Sequence, residues 1–287
     1  MTAVPFLLPL IAIVAMLLAT EGWAQDAGRP PLADPELTRP LEQAPTTTKP
    51  DRSAAARSRS TQLAVRSARE RLSNGTPDWR DSGLELLHEF EKRKVLLGSF
   101  VESSRFGLRD RTATLEGYYP LSERTTGYFM AATSDTHRVL AKDTAQAQLA
   151  YAFGQGWGVM GGLRRANYNT TTVDIADLTL ERYFSNFRAA LTVLPAHSST
   201  AGNATSYRLQ FGYYYGDEQR VQFMYSNGTE VDRPSAVDLV IATHVRASVI
   251  YGRHWITHAW ALDYGVGRTA QGAVNRNAAS VGLRYRF

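Results

Sequence analysis

The stretch SYRLQFGYYYGDEQRVQFMYS, residues 206 to 226, reads as two amphipathic strands joined by a tight turn. Tyr207, Leu209, Phe211, Tyr213 and Tyr215 alternate with Ser206, Arg208, Gln210, Gly212 and Tyr214. Beyond GDEQ, Val221, Phe223 and Tyr225 alternate with Arg220, Gln222 and Ser226. A period of two sends neighbouring side chains to opposite faces of a strand. One face here is aromatic and aliphatic; the other carries arginine and glutamine. A water-soluble β-sandwich or barrel would have to bury one of these faces, and burying so many charges is costly. A transmembrane barrel meets no such conflict, because its apolar face contacts lipid and its polar face lines the lumen.

The same pattern extends in both directions. In AWALDYGVG, Trp260, Leu262, Tyr264 and Val266 oppose Ala261, Asp263, Gly265 and Gly267. In DLVIATHVRASVIYG, Leu239, Ile241, Val245, Val249 and Tyr251 are read as the lipid-facing set, opposite Asp238, His244, Arg246 and Ser248. The chain stops on NAASVGLRYRF, an alternating strand ending in Phe287. An exposed strand edge invites aggregation unless it is paired, so this terminus needs a partner strand and an apolar surround. Twelve such segments fall between residues 94 and 287. The expectation is an all-β, twelve-stranded antiparallel transmembrane β-barrel over 94–287, preceded by a short helical and disordered periplasmic segment. Short connections such as GQG, SN and GRH alternate with longer polar ones such as HRVLAKD and HSSTAGNA. That asymmetry separates a periplasmic rim from an extracellular one. Aromatics cluster at the short turns (Tyr118, Tyr119 and Tyr128; Phe153 and Trp157; Tyr183, Phe184 and Phe187; Tyr213 to Tyr215; Tyr251 and Trp255), as expected of an interfacial girdle that Phe287 would join.

Upstream of the barrel, residues 1–24 have the apolar core and small-residue cleavage pattern of a signal peptide, with cutting expected after Ala24. Residues 25–52 are rich in Pro, Thr and charge and read as a disordered linker. Residues 53–93 are Ala- and Arg-rich, then broken by NGTP, and their propensities predict a helical hairpin in the periplasm.

The 287 residues include no cysteine, which excludes disulfides and thiol chemistry. The net charge of +5 is spread along the chain without a basic cluster, so nucleic acid is not an expected partner. Neither HExxH nor CxxC occurs, and no metal or cofactor is expected. The charged residues assigned to the lumen are Glu116, Arg164, Glu181, Arg188, Arg208, Arg220, Arg246, Asp263 and Arg284. They either line an anion-passing pore or pair with one another and fill a narrow lumen, and the filled arrangement is favoured. Arg182 and Arg286 lie near enough to the periplasmic end to meet headgroups. One stretch, PAHSSTAGN, has catalytic potential: His197 and Ser199 share a strand face, with Asn203 close behind. A histidine that deprotonates a serine and is oriented by an asparagine is a hydrolase arrangement. Here Asn203 is expected in a loop rather than on a neighbouring strand, and a solvated rim is the preferred reading.

The layout of LRRANYNTTTVDIADLTLERYFSNFRAAL (163–191), YRLQFGYYYGDEQRVQFMYSNGTEVD (207–232) and the terminal LRYRF resembles the YaiO-type outer-membrane β-barrel domain. The shared features are a GLRxxxY strand, an ERYF strand end before a tight turn, and a YYYGD turn. The resemblance implies an outer-membrane location and a relation to the barrel parts of exopolysaccharide exporters. Helical repeats that often precede this domain have room here for one pair at most. The chain is therefore expected to be a non-enzymatic outer-membrane barrel, serving envelope structure or accessory to export of a polysaccharide or solute. An outer-leaflet lipid hydrolase and a narrow porin are the alternatives. Expected partners are outer-membrane lipid and lipopolysaccharide, the barrel-assembly machinery through the strand ending in Phe287, and exopolysaccharide or other export components.

Overall fold

The computed structural model describes residues 60–91, 93–216, 218–232 and 240–287. The expected signal peptide, the linker and the first residues of the expected helical segment lie outside that range. Fourteen strands follow in order: β1 (Ser60–Leu72), β2 (Trp79–Glu91), β3 (Lys94–Arg105), β4 (Leu108–Pro120), β5 (Thr125–Ser134), β6 (Asp143–Gly154), β7 (Trp157–Asn167), β8 (Thr172–Phe184), β9 (Phe187–Ser198), β10 (Gly202–Tyr215), β11 (Gln219–Asp232), β12 (Ile241–Trp255), β13 (Trp260–Gln271) and β14 (Val274–Arg286). Each pairs antiparallel with its chain neighbours, and β1 pairs with β14 from Gln62–Arg286 to Leu72–Arg276, closing the ring.

The expected count of twelve strands is therefore wrong, and the expected helical hairpin is the missing pair. STQLAVRSARERL is β1: Gln62, Ala64, Arg66, Ala68, Glu70 and Leu72 face the lumen, while Leu63 and Val65 face outward. Only those two outward residues are aliphatic, so the period of two is faint, and the Ala and Arg content raises helix propensity. In β2, Leu84, Leu86 and Phe90 are outward and exposed, whereas Trp79, Glu85 and Leu87 are buried inside. Pairing on both sides overrides local preference, because a lone helix at this position would leave β3 and β14 as open edges.

Outward faces carry the lipid-contacting set the alternation predicts: Leu149, Leu163, Leu178, Leu180, Leu191, Tyr207, Phe211 and Leu283 are all exposed. The rim that holds both ends of the barrel also carries the outward aromatics Tyr119, Phe153, Trp157, Phe184, Phe187, Tyr213, Trp260 and Phe287. This is the periplasmic girdle. Some of the aromatics assigned to it belong elsewhere. Tyr118, Tyr128, Tyr183, Tyr214 and Tyr251 sit at alternate positions, point inward and are buried. Two of the long outer loops also shrink, since β9 and β10 are separated only by residues 199–201 and β13 and β14 by residues 272–273.

Inside, glycines clear space for long side chains to lie along the wall. A Cβ on Gly162 would stand 2.3 Å from Gln148 Cγ and 2.7 Å from an Asp177 carboxylate oxygen. Gln148 on β6 reaches over this glycine on β7 to donate to Asp177 on β8 at 3.0 Å. Part of the lumen wall is apolar: Met224, Val249, Tyr251 and Ala278 form one cluster. Leu87, Val95, Tyr118, Tyr128 and Met130 form another.

A chain lacking residues 60–91 is expected to lose the difference in gel mobility between unboiled and boiled samples that marks a closed barrel. A chain lacking residues 25–52 is expected to keep it. Semi-denaturing electrophoresis of the two refolded proteins reads this directly.

Candidate functional site: the lumen and the outer rim

Eight of the nine sequence-assigned lumen residues face the lumen. Glu116, Glu181, Arg188, Arg220 and Arg284 are buried there, and Arg164, Arg208 and Asp263 are half-buried. Arg246 is the exception: it is exposed on the outward face of β12. The sequence pattern gives its strand the opposite phase because Val245, Val249 and Tyr251 look lipid-facing. They instead belong to the apolar part of the lumen wall. Pairing sets the phase, since Met224, inward on β11, lies opposite Val249, and Asn227 lies opposite Arg246.

The densest inward constellation centres on Arg284, whose side chain is 0% exposed. Its Nη2 donates to Glu85 Oε1 at 2.6 Å and to Asp263 Oδ2 at 2.9 Å. Asp263 Oδ1 also accepts from Arg253 Nε at 2.6 Å. Arg66 lies 2.9 Å from Glu85 and 3.4 Å from Asp263. Three guanidinium groups thus share two carboxylates, drawn from β1, β2, β12, β13 and β14. Several of these pairs skip a strand: Arg284 reaches over β1, and Arg66 reaches over β14, where a Cβ on Gly282 would come within 2.9 Å of Arg66 Cγ. Buried charges in such a place are tolerated because each has several partners.

Other inward pairs repeat the theme. Arg188 Nε donates to Glu181 Oε2 at 2.8 Å, with both side chains almost wholly buried. Tyr128 Oη donates to Glu116 Oε2 at 3.0 Å, and Tyr251 Oη to Gln222 Oε1 at 2.9 Å. Near the outer end, the Trp79 ring lies between the guanidinium groups of Arg105 and Arg276, at 4.8 and 4.9 Å. Glu85, Arg66, Arg253, Trp79, Arg105 and Arg276 had no place in the sequence assignment. Five of them sit on strands expected as helix or expected to end sooner, and their partners lie on other strands. At the periplasmic end, Arg182 lies over the Trp157 ring at 5.0 Å on the outward face. Arg286 pairs with Glu218 and lies 3.7 Å over the Trp255 ring.

The outer mouth is partly covered by the β5–β6 connection. Asp110 on β4 accepts from the backbone N–H groups of Arg138, Val139 and Leu140 at 2.9, 2.7 and 2.9 Å, and from Thr136 Oγ1. Val139 and Leu140 are buried as a result.

The hydrolase candidates separate. Asn203 is not in a loop: it lies on β10 directly opposite His197, and its Oδ1 is 2.8 Å from His197 Nδ1. Both are on the outward face. Ser199 is engaged elsewhere. Its Oγ is 2.9 Å from Thr171 Oγ1 and accepts from the Thr172 N–H at 3.1 Å, with no hydrogen bond to His197. His197 and Asn203 instead continue a polar row across β7 to β10, in which Arg165 donates to Asp174 at 2.6 and 2.8 Å and Asp174 stands opposite His197. Below that row, Ala147, Leu163, Ala176 and Pro195 line an outward groove of about 890 Å³. No cluster of three or more His, Asp or Glu suited to a metal occurs among the described residues.

An apolar exterior, a charged interior and a closed antiparallel ring define an outer-membrane β-barrel. The family model for the YaiO membrane beta barrel domain matches residues 60–233, beginning at the first residue of β1, and the chain belongs to that family. No curated protein matches it. Among solved structures, it resembles a bacterial polysaccharide outer membrane secretin at 14% identity and a TM-score of 0.50, covering 79% of this chain and 98% of that one. It also resembles the KdgM porin at 10% identity and a TM-score of 0.45, covering 78% and 99%. An anion-selective porin from Comamonas acidovorans matches at 12% identity and a TM-score of 0.42, covering 80% and 99%. At these identities the likeness extends to the barrel fold alone.

Removing Arg284 takes a wholly buried cation from Glu85 and Asp263 and leaves them only Arg66 and Arg253. Arg284→Ala is expected to destabilise the barrel by about 3 kcal/mol, the low end of the cost of breaking a buried pair. Arg66→Ala, whose side chain is 43% exposed, is expected to cost about 1 kcal/mol or less. Urea unfolding of the vesicle-inserted variants measures both.

Proposed function

We propose that this protein is a non-enzymatic outer-membrane barrel whose lumen is narrowed by its own side chains, acting in envelope structure or as an accessory to export rather than as a general porin. The observation that carries this reading is the burial of the inward charges. Arg105, Arg188, Arg276 and Arg284 are each 3% exposed or less. Guanidinium groups bordering a wide aqueous channel would be solvated; these are covered by neighbours and held by carboxylates. The apolar patches around Met224 and around Tyr118 add to the case, because an apolar wall favours side-chain contact over water. Some water does reach the lumen, as the exposure of Arg66 requires. The reading is thus a constricted lumen, with the fold's outer loop at Val139 and Leu140 as a second obstruction.

Planar-bilayer recording of the full mature protein tests this. Wild type is expected to give little or no steady current. Simultaneous Arg284→Ala, Glu85→Ala and Asp263→Ala substitution removes the central network together with its charges, and is expected to raise conductance. A steady, wide-pore current from wild type overturns the reading.

The non-enzymatic part rests on the direction in which Ser199 turns. His197→Ala and Ser199→Ala are expected to leave phospholipid release from vesicles at the wild-type level, measured as free fatty acid. Loss of a measurable release in either variant would contradict it.

A further inference from the structure

The outward face bears a second charged feature, unrelated to the lumen. On β2, Arg80 stands ten residues from Phe90, which is outward and one residue from the strand's periplasmic end; on β4, Arg111 stands eight from Tyr119; on β13, Arg268 stands eight from Trp260. At about 3.3 Å per residue and a tilt near 40°, each interval spans roughly 20–25 Å, the height of a barrel's apolar band. The arginines therefore sit at the extracellular membrane interface, as the aromatics do at the periplasmic one.

They are concentrated on one side. Across β13, β14 and β1 to β4, the outward positions at this level hold Arg268, Arg71, Arg69, Arg80, Arg109 and Arg111. Three carboxylates accompany them. Asp78 accepts from Arg69 at 2.5 and 2.8 Å, Glu102 accepts from Arg111 at 3.0 Å, and Asp135 accepts the Arg111 backbone N–H at 2.9 Å. Glu102 is also 3.7 Å from Arg109, so Arg69, Arg109 and Arg111 are all engaged by carboxylates. Arg80 and Arg268 have no partner among the described residues. Arg69 and Arg80 lie directly opposite each other on β1 and β2, and like charges so placed are destabilising. A bridging anion removes that cost.

We propose that this arginine strip is a docking surface for the phosphate groups of a phosphorylated outer-leaflet lipid. Its height places it beside headgroups rather than beside soluble solutes. The strip uses arginine alone, whose planar fork binds phosphate in a bidentate manner. Below it, Leu84, Leu115 and Val266 offer an apolar surface for the acyl chains of the same molecule. The surface is independent of whether the lumen conducts.

The test uses the full mature protein in detergent, with lipid A carrying both phosphates and the same lipid A dephosphorylated as probes, and retained lipid counted by native mass spectrometry. Wild type is expected to hold the phosphorylated lipid about tenfold more tightly than the dephosphorylated one. Arg80→Gln with Arg268→Gln is expected to remove most of that preference, and Arg80→Lys with Arg268→Lys to keep part of it. Unboiled gel migration identifies folded variants. Equal retention of the two lipids by wild type, which needs no variant, overturns the proposal. So does a folded double glutamine variant that binds like wild type.

Discussion

The structure depends on backbone hydrogen bonding where there is no water. Every N–H and C=O that crosses the hydrocarbon layer must find a partner inside the protein. Strands meet that requirement only as a ring without edges. In this chain the ring is completed by β1 and β14, paired over the length of both strands. Everything else follows from that closure. The strand number is even, both ends meet at one rim, and alternate side chains are divided between lipid and lumen. The final Phe287 is then no frayed end: its N–H donates to Thr61 O at 2.9 Å and its ring lies 5.0 Å from that of Tyr285.

Closure then sets the problem of the interior. The strands deliver many charges into a confined space where isolated ions are costly. The chain answers with arginine, small residues and shared carboxylates. Glycines such as Gly162 and Gly282 let long polar side chains cross to the next strand but one. Arg284 therefore finds Glu85, more than half the chain away, and one guanidinium holds two acids. Outside, the logic is reversed. The aliphatic band is bounded below by aromatics and above by arginines, and both boundaries are set by the same eight- to ten-residue interval.

Much of this was legible in the alternation. The β10–β11 hairpin, the polarity of its faces and the inward direction of Arg208, Arg220, Asp263 and Arg284 all follow from a period of two. Four things were not legible, each for a physical reason. β1 is composed of residues that favour helices, and its outward face turns from Leu63 and Val65 to serine and arginine, so the strand appears only once its neighbours need pairing. The phase of β12 is hidden because its inward face, with Val245, Val249 and Tyr251, is the more apolar of the two; the register with β11 decides it and sends Arg246 outward. The meeting of His197 and Asn203 depends on a three-residue turn replacing a loop, and the partners of Arg284 depend on side chains that skip a strand. Sequence spacing contains neither piece of information.

Closure through β1 can be measured on a clean background, because the natural chain has no cysteine. Ser67→Cys with Val281→Cys places one thiol on each side of the β1–β14 seam, at directly opposed positions. A companion protein carries Phe100→Cys on β3 with Val281→Cys, the seam a twelve-stranded ring would have. After mild oxidation of the membrane-inserted proteins, the fourteen-stranded account predicts a disulfide in the first and none in the second. Efficient cross-linking of Phe100→Cys to Val281→Cys, with none at Ser67→Cys, would contradict it.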